Sequence, residues 1–197
     1  VTFFTTTSIP AFSRISFPKY AVIYARQRNG TDVAWINGLI NVIISEGLHD
    51  EKFIEERTEG FEALKDLVKE YTPEYVEKIT SLPKEKIIEI SRIYAKARKA
   101  MIVYSMGITQ HTTGVDNVKS LANLAMVTGH LGFASCGVNP LRGQNNVQGS
   151  CDVGALPNLL SGYQSVADET LRQKFEAAWD IQGLPEKPGL TVTEIMS

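Results

Sequence analysis

The spacing of apolar positions changes repeatedly along this chain, and each change predicts a different kind of element. Residues 1–20 hold Phe, Thr and Ile broken by Pro10 and Pro18, with no helical period, so irregular or strand-like chain is expected there. Residues 21–25 form a short apolar run, the signature of a buried strand. A polar turn follows, Arg28-Asn29-Gly30-Thr31-Asp32. Beyond it Val33, Ile36, Ile40, Ile43 and Ile44 recur on one side of a mostly buried helix, with Asp32 read as its N-cap and Gly47 just past its end. So much isoleucine keeps a strand open as the alternative.

Residues 50–99 read as amphipathic helix. Phe61, Leu64, Leu67 and Val68 recur at helical spacing behind Gly60. Thr72-Pro73-Glu74 offers a cap, a proline at the first position and an acid in the first turn. Pro83 opens another helix with Ile87, Ile90, Tyr94 and Ala97 on one face and a basic end, which suits the negative end of the helix dipole. Residues 100–105 are a short apolar run, predicting a buried strand. Residues 106–114 are a polar loop, followed by a helix with Val115, Val118, Leu121, Ala122 and Ala125 inward that stops near Gly129 to Gly132. Helix, strand, loop, helix is an α/β pattern with the loop at a strand's carboxyl end. Residues 132–165 are punctuated by glycine and rich in Asn and Gln, predicting one long ordered loop of the kind that usually carries function. A last amphipathic helix is expected around Glu169 to Trp179.

Composition narrows the classes. With 43% hydrophobic and 21% charged residues, the 197-residue chain can bury a core. A net charge of −2 supplies no basic excess for a nucleic-acid backbone, so no nucleic-acid partner is expected. No run approaches the roughly 20 apolar residues of a bilayer span, and residues 1–7 lack the basic start of a signal peptide. Cys136 and Cys151 have neither a zinc nor an iron–sulfur spacing, and two reduced thiols in a cytoplasmic protein is the expectation.

Two loops could carry chemistry. Residues 107–114 lie between a strand and a helix, where peptide N–H groups attract phosphate and glycine admits a ligand to the backbone. They form neither a Walker loop nor a G-x-G-x-x-G turn, so a nucleotide site and a plain connection both remain open. Gly30-Thr31-Asp32 makes a weaker offer of the same kind. In residues 141–152 a lone arginine, Arg142, stands among carboxamides. That is either a site for a small planar anion or a solvated surface charge. His49 is read as surface, and His111 and His130 as lacking the carboxylate partner a metal site needs.

The strings Tyr104-Ser105-Met106-Gly107-Ile108-Thr109-Gln110-His111 and Gly137-Val138-Asn139-Pro140-Leu141-Arg142-Gly143-Gln144-Asn145-Asn146-Val147-Gln148-Gly149 resemble the formate dehydrogenase branch of the molybdopterin oxidoreductases. So do Gly30-Thr31-Asp32-Val33-Ala34, Glu46-Gly47-Leu48-His49-Asp50 and Ala155-Leu156-Pro157. The likeness runs in order over residues 21–197 and leaves residues 1–20 as an unmatched segment. It implies a partial α/β domain of that family: a central strand-loop-helix unit with extra amphipathic helices.

By resemblance, Gly30, Thr31 and Asp32 contact one guanine dinucleotide of a bis(molybdopterin guanine dinucleotide) carrying molybdenum or tungsten. Met106, Gly107 and Gln110 contact the same cofactor. Arg142 lies beside the metal and Gln144 helps line the site. The implied reaction is oxidation of formate to carbon dioxide, with the rest of the catalytic subunit and electron-transfer subunits as partners. The family's four-cysteine 4Fe-4S motif, its cysteine or selenocysteine metal ligand and its late domain do not occur in these 197 residues. The chain is therefore expected to be a central fragment, inactive alone. The alternatives are a fragment of another molybdopterin oxidoreductase, such as a nitrate reductase, or a cofactor-binding module without catalysis.

Overall fold

The computed structural model describes residues 4–6, 21–141 and 143–197. Contacts divide the chain into two units, residues 1–141 and 142–197. Among the described residues no helix is long and apolar enough to cross a membrane.

The first unit begins with two short strands, β1 (Phe4–Thr6) and β2 (Ile23–Ala25), paired in parallel with Phe4 opposite Ile23. Five helices follow: α1 (Asp32–Ser45), α2 (Glu51–Arg57), α3 (Phe61–Val68), α4 (Pro73–Thr80) and α5 (Lys84–Lys96). Helix, not strand, is the outcome for the isoleucine-rich run. Trp35, Ile36, Leu39, Ile40, Val42 and Ile43 are all buried, because α1 packs against α3, α4, α5 and a later helix at once. A helix apolar nearly all round is one that neighbours enclose.

Local chemistry sets the ends of these helices. After α1, the Leu48 N–H donates to Ile43 O at 2.9 Å and the Gly47 N–H to Ile44 O at 3.1 Å, with Gly47 at φ +65°. That paired closure satisfies two end carbonyls and uses the left-handed conformation glycine adopts freely. The start of α1 differs from expectation: Thr31 occupies the N-cap position and Asp32 is the first helical residue. The expected cap at Thr72 is present, its hydroxyl accepting from Tyr75 N at 3.3 Å, with Pro73 at the first position of α4. In α3 the buried residue is Val68, and Leu67 is 53% exposed.

The α/β unit comes next. β3 (Met101–Tyr104) is joined through a one-turn helix, α6 (Met106–Thr109), and a long one, α7 (Gly114–Val127), to β4 (Gly137–Pro140). β3 and β4 pair in parallel, Met101 opposite Gly137 and Tyr104 opposite Pro140. A parallel pair needs such a crossover, and α7 supplies it. β3 is not the buried strand expected. Met101 and Val103 are 49% and 52% exposed, while Ile102 and Tyr104 pack on the core. Residues on a strand alternate faces, and only one face of this pair meets the helices. Val115 points out of α7 and Leu121, Leu124, Ala125 and Val127 point in. The residues expected as one long loop, 132–165, instead hold β4, a short helix α8 (Val147–Asp152) and a small hairpin of β5 (Leu159–Leu160) and β6 (Gln164–Ser165).

From α8 onward these elements belong to the second unit, which adds α9 (Glu169–Trp179) and α10 (Val192–Ile195). Its core is a small cluster of Leu160, Val166 and Phe175, with Leu184 alongside.

Candidate functional site

The turn before α1 is tied down from both sides. Arg28 donates its backbone N–H to Thr80 O at 2.8 Å and its guanidinium to Ser81 Oγ at 3.1 Å, both at the carboxyl end of α4. Thr31 Oγ1 donates to Arg28 O at 2.6 Å and closes the turn. Gly30 sits at φ +77° with open space where a side chain would project, so its backbone conformation, not crowding, calls for glycine. With the Thr31 hydroxyl spent on Arg28, no side chain caps the first N–H groups of α1. A helix start of that kind favours negative charge.

Asp32 stands there, 2% exposed. Its Oδ1 accepts from Gln27 Nε2 at 2.8 Å, a bond between two buried side chains. Its Oδ2 is buried and has no hydrogen-bond partner. The imidazole of His111 stands on that side, its Nε2 3.9 Å from Oδ2. A carboxylate taken out of water costs on the order of several kcal/mol unless donors surround it. One amide, a distant imidazole and a helix start leave this one short of donors.

His111 belongs to the second loop. Its Nε2 also lies 2.9 Å from Gly107 O. Met106, at the start of α6, accepts through its sulfur from Gln110 Nε2 at 3.4 Å. Gly107 has open space around the position of an added Cβ, so nothing in the chain itself crowds it. Buried Asn117 of α7 donates to Ile108 O at 2.8 Å and holds the turn against the helix. At the carboxyl edge of the β3–β4 pair, Leu141 N donates to Tyr104 O and Ser105 Oγ to Leu141 O, each at 2.7 Å. Leu141 is thus fixed beside the loop that carries Met106.

The structure therefore brings Asp32 next to the loop of Gly107 and His111, two segments that the sequence treated separately. Arg142 lies outside the described residues. Gln144 is exposed and belongs to the second unit. There, two of the carboxamides work inside the fold. Asn146 caps α8 by accepting from Gly149 N at 3.2 Å, and Gln148 Nε2 donates to Asp152 Oδ1 at 2.9 Å and to the Tyr163 hydroxyl at 2.7 Å. Among the described residues no three His, Cys, Asp or Glu side chains gather as metal ligands.

Two expectations change. Asp32 does not cap α1 through its side chain; its carboxylate is engaged by Gln27 instead. His111 does have a carboxylate neighbour, Asp32. His130 is 4% exposed, its Nε2 lies 3.1 Å from Tyr94 O and its ring meets Tyr94 edge-on, so it is a packing residue. Gln27 and His111 were missed as site residues. The only sequence signal for Gln27 is a polar residue just after an apolar run.

The chain is similar to known proteins over most of its length. The family model for molybdopterin oxidoreductase matches residues 10–194. The chain is 54% identical over 178 residues to the F420-dependent formate dehydrogenase subunit alpha of Methanocaldococcus jannaschii, covering 90% of this chain and 26% of that protein. It is 46% identical over 182 residues to formate dehydrogenase H of Escherichia coli, covering 92% of this chain and 26% of that one. The chain thus spans about a quarter of the length of these relatives. Among solved structures it resembles the acetylene hydratase of Pelobacter acetylenicus, with a TM-score of 0.62 and 26% identity over 68% of this chain and 18% of that one. With the family match running through nearly all of the chain, from the segment before β2 to α10, the protein belongs to the molybdopterin oxidoreductase family, whose cofactor is a molybdenum–pterin.

Proposed function

We propose that this chain is part of a formate dehydrogenase catalytic subunit and forms one wall of its bis(molybdopterin guanine dinucleotide) site. Gly30, Thr31 and Asp32 would hold a guanine dinucleotide, and Met106, Gly107 and Gln110 would line the pterin. The observation that carries this reading is Asp32: a buried carboxylate at a helix start, with an oxygen lacking any donor, beside the loop of Gly107 and His111. A guanine edge offers N–H donors of the kind this carboxylate lacks. When bound, the metal centre supplies the two-electron acceptance that formate oxidation needs. Arg142 would hold the formate carboxylate through its planar fork of donors, and Gln144 would help line the same place. Formate, the rest of the catalytic subunit, which would carry a 4Fe-4S cluster, and electron-transfer subunits are the proposed partners. Both cysteines are free, which favours a cytoplasmic setting.

The test uses the full-length subunit. An ammonium keeps the charge of Arg142 but loses the fork. Arg142→Lys and Arg142→Ala should therefore both lower kcat/KM for formate by roughly 30- to 1,000-fold, about 2–4 kcal/mol for a charge-assisted pair in a desolvated site, with metal content unchanged. Kinetics of Arg142→Lys equal to wild type would remove the substrate role. A second reading has one observation in its favour, the likeness to a structure named as a hydratase. In that case the same scaffold serves a different substrate, and formate-dependent reduction of an artificial dye by the holoenzyme would be absent.

A further inference from the structure

Gln27 lies within the matched residues but outside the strings singled out for the family likeness, and it is the residue that engages Asp32. It is 4% exposed, and its amide nitrogen donates to Asp32 Oδ1 at 2.8 Å. That bond has two consequences. It fixes which carboxylate oxygen is spent, leaving Oδ2 as the unused one. It also determines the amide's own orientation, because turning the amide over would set two oxygens against each other. Gln27 Oε1 is then left buried without a donor, like Asp32 Oδ2. A buried polar atom without a partner is costly, so two on adjacent side chains need an explanation. Both unsatisfied atoms are acceptors, and what the pair lacks is donors.

Resting on the nucleotide reading above, we propose that Gln27 is the positioning and specificity-determining residue of the dinucleotide subsite, orienting Asp32 and adding a second acceptor that selects a guanine edge. The chemistry is selective. Guanine carries a ring N–H and an exocyclic amino group side by side, two neighbouring donors. Adenine and cytosine each set one amino group beside a ring acceptor, and uracil sets one N–H between two carbonyls. Two acceptors therefore favour guanine and repel the alternatives. His111 bounds the same carboxylate on its Oδ2 side, held near Gly107 O.

The experiment follows nucleotide release from the full-length holoenzyme, with no need for turnover. Purified subunit is diluted and incubated, and the pterin it releases is read by fluorescence, with GMP counted after acid hydrolysis. Gln27→Met keeps the side-chain volume and removes both amide functions. Release from it should be about ten-fold faster than from wild type, the worth of one hydrogen bond to a charged group. Gln27→Glu should also release faster at neutral pH, where two carboxylates repel. Release from Gln27→Glu should slow toward wild type as the pH is lowered and the pair comes to share a proton. A side chain that only fills space predicts no such pH dependence.

Asp32→Ala separates the two levels of the argument. If Asp32→Ala releases at the wild-type rate, the nucleotide reading itself falls. If Asp32→Ala releases fast while Gln27→Met matches wild type, only the role of Gln27 is overturned. A lower melting temperature of cofactor-free Gln27→Met with unchanged release also overturns it, since that is the mark of a packing residue.

Discussion

The two units of this chain hold themselves together in different ways. In the first, α1 is enclosed by other helices, and its Ile36, Ile40 and Ile43 lie fully buried with Val68, Val76 and Ile87 of its neighbours. In the second, three buried apolar side chains serve the described residues from 143 on, and order comes from local hydrogen bonds: the Asp168 and Asn146 caps, and the Gln148 amide shared by Asp152 and Tyr163. Burial is cooperative and long-range, whereas caps and turns act over a few residues. The first unit can therefore hold a buried carboxylate such as Asp32 in place, and the second presents an amide-rich surface on a modest core.

Removing side chains from the two cores is the strongest way to break this contrast. Ile40→Ala deletes buried methyl groups inside α1 and should cost about 2–5 kcal/mol. Urea denaturation followed by far-UV circular dichroism should show the main transition shifting to lower urea. Phe175→Ala should leave that main transition in place and loosen only α9, seen as faster amide exchange in residues 169–179. A shift of the main transition by Phe175→Ala as large as that by Ile40→Ala would mean that the two units unfold as one.

A close approach tests the enclosure of α1 next. A Cβ on Gly38 would come within 2.8 Å of Val76 Cγ2, so α1 and α4 touch through a glycine. Gly38→Ala gains helix propensity but overpacks the contact, and a net loss of about 1–3 kcal/mol is expected in the same urea experiment. A gain in stability would show that α4 can move away without cost.

Caps should matter less, and locally. Asp168 accepts from Leu171 N at 3.0 Å at the start of α9. Asp168→Ala should cost about 1 kcal/mol, read as faster exchange at the start of α9 and little change elsewhere. The smallest expected effect is the surface pair of Glu46 and Arg92, which meet in two parallel bonds, at 2.8 Å from Nε to Oε2 and from Nη2 to Oε1. Hydrogen bonding from Arg92 holds the Glu46 carboxyl below its ordinary value, against a smaller opposing effect of burial. A carboxyl whose value is lowered in the folded state adds stability above its unfolded value and loses it as pH falls through the folded one. The difference in melting temperature between wild type and Arg92→Ala should thus be present at neutral pH, shrink in high salt, and vanish in acid. A difference that persists in acid would assign the effect to packing of the arginine stem.

Much of this was legible in the residues. The end of α1 at Gly47, the cap at Thr72, the helix opened by Pro83 and the helix from Glu169 to Trp179 all follow from signals within a turn of chain. Errors arose where neighbours decide. Val115, Leu67 and Val103 fit the apolar spacing of their elements and are exposed, because periodicity marks a face without saying whether anything covers it. The amide-rich stretch looked like one loop because short strands and a six-residue helix leave too few positions for a period to register.

The sequence by itself determined that α1 is buried, where several helices begin or end, as at Pro83 and Gly47, and which loops carry the strings of the family likeness. Capping atoms, glycine conformations and apolar spacing act over a few residues and can be read from them. Only the tertiary structure decided that Asp32 is sealed from water, that Gln27 spends one of its oxygens, and that His111 stands beside the other. Those relations join the segment before α1, its first residue, and the turn between α6 and α7. Whether a carboxylate there is satisfied depends on atoms that the fold, not the order of residues, places around it.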